Sequence, residues 1–342
     1  MNARRLVPTV LLSASALALA GCAGTAASGT DATDAADGKL QVVASTNVYG
    51  DIATAIGGDR IDVTSIITSI AQDPHSYEAS ARDQLTVSNA DLLIENGGGY
   101  DAFLDSMIES TGTDAPVITA VEFSHDWPGT TNDHDHDDET DATDEADDAS
   151  AGSGTTDDDA HAGHDHVEGF NEHVWYDPHT IADVAHDIAH ELSELDPEGA
   201  ATYEANYETF AAGIDDLEAS LDDLATSYAG EQVFVTEPVP LYLTAAAGLV
   251  NATPDAFSEA VEEGQDVPPA TLLEANSIIA SGDVSLLIVN AQTGGAETDE
   301  VTQKADDAGI PVLSFTELVP DGDTYLTWMQ ANVAALADTL SQ

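Results

Sequence analysis

Two histidines and two glutamates stand where a shared metal site could form. His75 lies in a loop after a predicted strand, His173 directly precedes a predicted helix, and Glu237 and Glu317 each follow a predicted strand. Zinc binds neutral imidazole nitrogen and carboxylate oxygen in a roughly tetrahedral shell, and two side chains of each kind would balance its charge. Each residue also has an ordinary interpretation, because a lone loop histidine is often solvated and a glutamate in an acidic chain usually lies on the surface.

Three further histidines fall on one predicted helix. His179 follows Asp177-Pro178, which is typical of a helix start. His186 and His190 are four residues apart and so share a helical face. They lack the His-Glu-X-X-His order that a zinc protease needs, and we expect them at the surface.

A low-complexity segment at 132–169 consists mainly of Asp, His, Thr, Ala and Gly. Such a composition cannot bury a core, so a disordered loop is expected. Short histidine-rich tracts are typical of metal binding, and we interpret the segment as an auxiliary loop that gathers zinc near the site. The alternative is a solvated acidic loop with incidental histidines. The histidines concerned are His134, His136, His161, His164 and His166.

The elements that must position the candidate ligands alternate between short apolar runs and amphipathic stretches, which favours parallel sheets. Strands are predicted at 40–45, 61–67, 90–95, 116–120, 232–236, 284–290 and 311–315. Helices are predicted at 48–56, 81–88, 100–109, 178–195, 197–228, 241–247, 269–280, 297–308 and 324–340.

This order predicts an α/β protein with two (β/α) lobes joined by a long rigid helix. The N-terminal lobe is expected at 39–195, the linking helix at 196–229 and the C-terminal lobe at 230–342. Ligands of open α/β sheets bind at the carboxyl ends of the strands, so a metal cleft between the lobes is expected.

The N-terminus has the features of an export signal. Residues 1–21 combine two arginines with an apolar stretch that is shorter than the about 20 residues needed to span a bilayer. Cys22 follows Leu-Ala-Gly, which resembles the lipobox of bacterial lipoproteins, whose cysteine is acylated. We expect residues 22–38 to be a lipid anchor and flexible tether; the alternative is an ordinary signal peptide with a stray cysteine. Because Cys22 is the only cysteine, a disulfide or thiolate metal site is excluded.

The chain is strongly acidic, with 65 acidic and 6 basic residues and a net charge of −59. This charge opposes binding to nucleic acid or to an anionic membrane surface and favours cations. The acidity extends far beyond any one site, and we attribute most of it to solubility in a high-salt habitat, where salt screens self-repulsion.

Several segments together carry a family resemblance. They are Asp73-Pro74-His75-Ser76-Tyr77-Glu78, Ala90-Asp91-Leu92-Leu93-Ile94-Glu95-Asn96-Gly97, His173-Val174-Trp175-Tyr176-Asp177-Pro178, Thr236-Glu237-Pro238-Val239 and Ala308-Gly309-Ile310-Pro311-Val312. Across nearly all of 40–342 the chain resembles the zinc- and manganese-specific solute-binding lipoproteins of ABC importers. A histidine-rich insert before the His-X-Trp segment is similar to that of many zinc members.

The resemblance implies four metal ligands: His75, His173, Glu237 and Glu317. The family usually has Asp at the fourth position, so Glu317 is a departure that keeps the carboxylate, with Asp321 and Asp323 as nearby rivals. Four protein ligands close the shell and argue against a metal-dependent hydrolase.

The resemblance also implies a function and a location. We expect a monomer, not an enzyme, held by lipid on Cys22 at the extracytoplasmic face of the cell membrane. Its expected partners are a membrane permease and an ATPase, and no nucleic acid. The expected cargo is Zn²⁺, with Mn²⁺ as the alternative; a surface adhesin is a further, weaker alternative.

Overall fold

The computed structural model describes residues 38–128, 167 and 169–342. The predicted signal peptide, Cys22 and the tether through residue 37 lie outside the described residues. So do all five histidines of the acidic segment. Val167, near the end of that segment, is half-buried and packs against the core.

The first sheet has four parallel strands in the order β2-β1-β3-β4. Its central strand β1 is fully buried from Val42 to Thr46, because both faces of the sheet are covered. The strands are β1 (Leu40–Thr46), β2 (Ile61–Ile67), β3 (Leu92–Glu95) and β4 (Val117–Thr119).

Four helices accompany this sheet: α1 (Asn47–Gly57), α2 (Ala81–Ser88), α3 (Ala102–Thr111) and α4 (Pro178–Leu195). Ser80 begins α2 with a capping box, in which its hydroxyl accepts from the backbone N–H of Asp83 and its own N–H is bound by the Asp83 side chain. Asp177 begins α4 by accepting a hydrogen bond from the backbone N–H of His179. The bounds of α4 agree with the sequence prediction.

The long helix α5 (Ala200–Tyr228) has 29 residues and is therefore about 44 Å long. It packs against α1 and α4 of the first lobe and, further along, against the second lobe. A stripe at helical spacing faces the core and is buried, as the sequence predicts: Phe210, Ile214, Leu217, Leu221 and Leu224.

The second lobe repeats the topology of the first, with four parallel strands in the order β6-β5-β7-β8. The strands are β5 (Gln232–Val235), β6 (Val250–Asn251), β7 (Val284–Asn290) and β8 (Val312–Phe315). The helices are α6 (Leu241–Ala246), α7 (Asp255–Glu262), α8 (Pro269–Ile279), α9 (Ala296–Ala308) and α10 (Tyr325–Leu340). Together the two parallel-sheet lobes confirm the predicted fold class.

The sequence prediction missed two adjacent elements, β6 and α7. β6 has only two residues, both exposed, so it has no apolar run to reveal it. α7 is held in place by Phe257, which is fully buried and packs edge-to-face on Phe234 of β5 with ring centroids 5.3 Å apart. Tertiary packing stabilises this short helix, which would be marginal alone.

One continuous apolar core includes residues of both lobes, and a smaller cluster lies on the other face of the second sheet. In the described part of the chain, no helix combines the length and the apolar character needed to cross a membrane.

Candidate metal centre

The loop after β2 holds His75 in one orientation. The carboxylate of Asp73 accepts hydrogen bonds from the backbone N–H of His75 at 2.9 Å and from the Ser76 hydroxyl at 2.8 Å. Oδ1 of Asp73 also lies 3.3 Å from Nδ1 of His75. The other ring nitrogen, Nε2, lies 3.3 Å from Oε1 of Glu172. A carboxylate on Nδ1 favours the tautomer that presents the Nε2 lone pair to a metal.

His173 is oriented in the same way by an amide. Its Nδ1 lies 2.7 Å from Oδ1 of Asn171. The amide nitrogen of Asn171 donates to the carbonyl of Pro238 at 3.1 Å, which identifies Oδ1 as the acceptor. His173 therefore carries its proton on Nδ1 and presents Nε2 to the site. The hydroxyl of Tyr242 donates to the carbonyl of Asn171 at 2.8 Å, so the C-terminal lobe holds this segment at two points.

Asn290, at the end of β7, brings Glu237 and Glu317 together. Its amide nitrogen donates to Oε2 of Glu237 at 2.9 Å and to Oε1 of Glu317 at 2.6 Å. Its Oδ1 accepts from the backbone N–H of Gln292 at 3.0 Å, which sets the orientation of the amide. The hydroxyl of Thr293 donates to the other oxygen of Glu237. Both glutamates are buried.

Tyr100, in the turn after β3, contacts three of the four predicted ligands. Its ring centroid lies 4.9 Å from that of His75 and 5.9 Å from that of His173. Its hydroxyl donates to Oε2 of Glu317 at 3.0 Å. Burial keeps the pKa of Tyr100 well above its usual value, so the hydroxyl stays a neutral donor. The structure thus brings His75, His173, Glu237 and Glu317 into one region between the lobes.

Two more glutamates, which the sequence analysis did not select, lie beside the histidines. Glu172 is buried and faces Nε2 of His75, as described above. Glu262, the last residue of α7, places Oε1 3.8 Å from Nε2 of His173. One donor atom from each of Glu172, His173 and Glu262 lies within 4.8 Å of the others, which is a metal-type grouping.

The charges of the site are strongly coupled. Burial, and then repulsion from Glu172, raise the pKa of Glu262 to about 9. Burial also raises the pKa values of Glu237 and Glu317. Burial alone would lower the pKa of His75, but hydrogen bonds to Asp73 and Glu172 outweigh it and raise that pKa to about 10. In return, the hydrogen bond from His75 lowers the pKa of Asp73 to about 2. In the metal-free protein, protons on His75 and on the buried glutamates therefore reduce the negative charge of the site. A bound cation would take over this role.

The competing residues lie elsewhere. His179, His186 and His190 are exposed on α4, as the sequence analysis expected. Asp321 and Asp323, the rivals of Glu317, are exposed in the turn after β8.

Glu172 and the helix that carries Glu262 each have some signal in the sequence. Glu172 directly precedes His173, a candidate metal ligand. Phe257, Ala260 and Val261 follow Pro254 at helical spacing, and Gly264 ends the run, so α7 was recognisable as a short helix. That Glu262 points to His173 depends on how α7 packs.

Comparison with known proteins places this chain in a family. Residues 42–339 match the family model described as ZnuA, the zinc-uptake complex component A, periplasmic. The match spans most of the chain, and the chain therefore belongs to this family of metal-binding solute-binding proteins of ABC importers.

Two relatives match most of the sequence of this chain, and one solved structure shares its fold. The manganese-binding lipoprotein MntA of Halalkalibacterium halodurans is 26% identical over 315 residues, which are 90% of each chain. The manganese ABC transporter substrate-binding lipoprotein PsaA of Streptococcus pneumoniae is 26% identical over an alignment of 353 positions, gaps included, which covers 99% of this chain and 100% of that one. The structure of the periplasmic zinc-binding protein TroA of Treponema pallidum superposes with a TM-score of 0.66 at 16% identity, covering 89% of this chain and 99% of that chain.

Proposed function

We propose that this protein captures Mn²⁺ outside the cytoplasmic membrane and delivers it to the permease and ATPase of an ABC importer. The observation that carries the choice of metal is the donor set, in which carboxylates outnumber imidazoles. Carboxylate oxygen suits manganese, whereas imidazole and thiolate favour zinc. The side chains that meet there are Glu172, Glu237 and Glu317 with His75 and His173. The names of MntA and PsaA also give manganese as their metal.

Zn²⁺ is the second candidate cargo. It is favoured by the histidine-rich segment 132–169, which we propose gathers zinc near the site. The family description and the name of TroA also give zinc.

Family membership also supports a location for the protein. The names of MntA and PsaA describe lipoproteins, and Cys22 stands at the lipobox-like Leu-Ala-Gly-Cys. We propose a monomer anchored by lipid on Cys22 at the extracytoplasmic face.

The site is tested by titrating purified protein with Mn²⁺ and Zn²⁺ in a calorimeter. We expect His173→Ala and Glu317→Gln each to weaken binding by at least about tenfold, because even partners of metal ligands are worth 10- to 100-fold in affinity. Asp321→Asn is the matched control, since it removes one exposed acidic charge near Glu317 in the chain. Wild-type metal affinity in the His173→Ala variant would contradict the proposed site.

The choice of cargo is tested in cells, because zinc can bind more tightly than manganese in a purified site without being the metal transported. Cells lacking the protein should accumulate less manganese from a metal-poor medium and keep a normal zinc content. A zinc deficit without a manganese deficit would identify zinc as the cargo.

Protein lacking 132–166 should keep its tight site and lose only additional, weaker zinc sites.

A further inference from the structure

We propose that Glu262 is an additional ligand of the metal cargo. It lies on α7 of the C-terminal lobe and binds the same ion as His173 of the N-terminal lobe. The resemblance to the family implies four ligands, and Glu262 is outside that set. This inference rests on the proposed function, since it concerns the same site.

The position of Glu262 is set by the packing of its helix. Fully buried Phe257 lies on the same helix and packs on Phe234 of β5. β5 is also the strand that leads directly into Glu237. Glu262 and Glu237 are therefore both positioned by elements that pack on β5 or continue from it, and both belong to the C-terminal lobe.

One oxygen of the largely buried Glu262 side chain lacks a hydrogen-bond partner among the described residues. Among the residues that the structure describes, Oε1 of Glu262 is buried and has no hydrogen bond. Its neighbour, Nε2 of His173, is 3.8 Å away, which is too far for a hydrogen bond. Burying a carboxylate oxygen without a partner is costly unless a proton, an opposite charge or a metal compensates its charge.

The helix itself does not explain the residue. Glu262 ends α7, where the helix dipole disfavours a negative charge. Among the described residues, neither capping nor a close ion pair accounts for an acidic side chain turned inward at this point. A bound divalent cation would account for it.

The geometry is compatible with one ion. Metal bonds to nitrogen and oxygen are roughly 2.0–2.2 Å, so ligand atoms on opposite sides of an ion are about 4 Å apart. The donor atoms of Glu172, His173 and Glu262 lie within 4.8 Å of one another, so shifts of a few tenths of an ångström would allow all three to contact the same cation. Counting Glu262 with the four ligands that the resemblance implies, the proposed shell has five protein donors, more than the tetrahedral shell of zinc uses and closer to the higher coordination number of manganese.

A different role for Glu262 predicts the opposite result. If it only neutralised His173 in the metal-free protein, it would compete with the cation, and its removal would tighten metal binding. The sign of the change therefore separates a ligand from a competitor.

The experiment compares Glu262→Gln with Glu263→Gln by Mn²⁺ calorimetry. Glu263 is adjacent, carries the same charge and is exposed, so it controls for the loss of one acidic group. We expect Glu262→Gln to weaken Mn²⁺ binding by roughly 10- to 100-fold and Glu263→Gln to leave it unchanged. Unchanged or tighter binding in Glu262→Gln overturns the inference, and thermal melting without metal checks that each variant is folded.

A spectroscopic readout tests coordination directly. Co²⁺ absorbs visible light strongly when four-coordinate and weakly when six-coordinate. Co²⁺ bound to the wild type should absorb weakly, and the absorption should rise in Glu262→Gln; equal spectra would contradict the inference. If the wild type binds no Mn²⁺, Zn²⁺ or Co²⁺ at all, it is the proposed function that fails.

Discussion

Each histidine of the site presents Nε2 because an oxygen atom from two residues earlier holds its Nδ1. Asp73 holds His75 and Asn171 holds His173. Asp73 and Asn171 differ in charge, and this difference affects the protonation of the two histidines. Asp73 stabilises a protonated His75 and helps to raise its pKa, whereas the neutral amide of Asn171 fixes a tautomer without adding charge.

Metal binding should release protons. In the metal-free protein the pKa of His75 is about 10 and that of Glu262 is about 9, so both groups hold a proton at neutral pH. A cation needs the unprotonated forms, and its affinity should therefore rise with pH below about 9 and fall on acidification. Calorimetry in buffers of different ionisation enthalpy should give a release of about two protons per metal near pH 7. A pH-independent affinity between pH 6 and about 8 would contradict this.

At the scale of elements, the site collects at the ends of parallel strands in both lobes. In each sheet the strand order reverses beside the first strand, at β1 and β3 in one lobe and at β5 and β7 in the other. Such switch points open a crevice at the carboxyl ends of the strands. Tyr100 follows β3, Glu237 follows β5 and Asn290 ends β7, so the repeated topology directs the strand ends of both lobes to the proposed metal site.

Glu95, at the end of β3, should make the stability of the fold depend on pH. It is buried beside Asp101, and burial raises its pKa from 4.5 to about 8. Between those values the folded chain keeps a proton that the unfolded chain releases, so the free energy of unfolding falls as pH rises and levels off above about pH 8. The loss should be a few kcal/mol, at about 1.4 kcal/mol for each pKa unit.

Replacing Glu95 tests this effect. Glu95→Gln keeps the shape and the hydrogen bond from Thr119 while removing the titration. In urea unfolding the variant should gain stability relative to the wild type as pH rises from about 5 to about 8, and the two should converge near pH 4.5. The exposed Glu109→Gln on α3 is the control and should follow the wild type at every pH. A constant difference between Glu95→Gln and the wild type would exclude a raised pKa at this position.

At the scale of the whole molecule, the lobes are joined by more than α5. The side chain of Asn47 forms two hydrogen bonds with the backbone of Val319, at 2.8 and 3.2 Å. The hydroxyl of Tyr325 donates to the carbonyl of Trp175 at 2.8 Å. Because these contacts lie beside the cleft and the core is continuous, the relative placement of the lobes is part of the site.

The net charge should make the protein more stable in salt. With 65 acidic and 6 basic residues, most carboxylates repel each other, and few ion pairs offset this. Raising NaCl from about 0.1 M to about 1 M shortens the screening length from about 10 Å to about 3 Å. The Tm at pH 7 should then rise by several degrees. Near the isoelectric point the same salt change should have little effect; an unchanged Tm at pH 7 would show that repulsion does not limit stability.

The sequence alone determined most of the fold, because its apolar runs are long and periodic. β2, α2, α4 and β7 begin and end at the predicted residues, since each has clear patterning, capping or bounding turns. The motifs also selected His75, His173, Glu237 and Glu317, which the structure brings into one region. In these cases local chemistry agrees with the tertiary arrangement.

Only the tertiary structure decided which further groups share the site. Glu172 and Glu262 are 90 positions apart, and nothing local distinguishes Glu262 from the many exposed glutamates of this chain. Its role depends on the packing of α7 through Phe257, a contact between residues distant in sequence. The pKa values of the cluster depend on burial and on charges from both lobes, and the folded chain alone creates that environment.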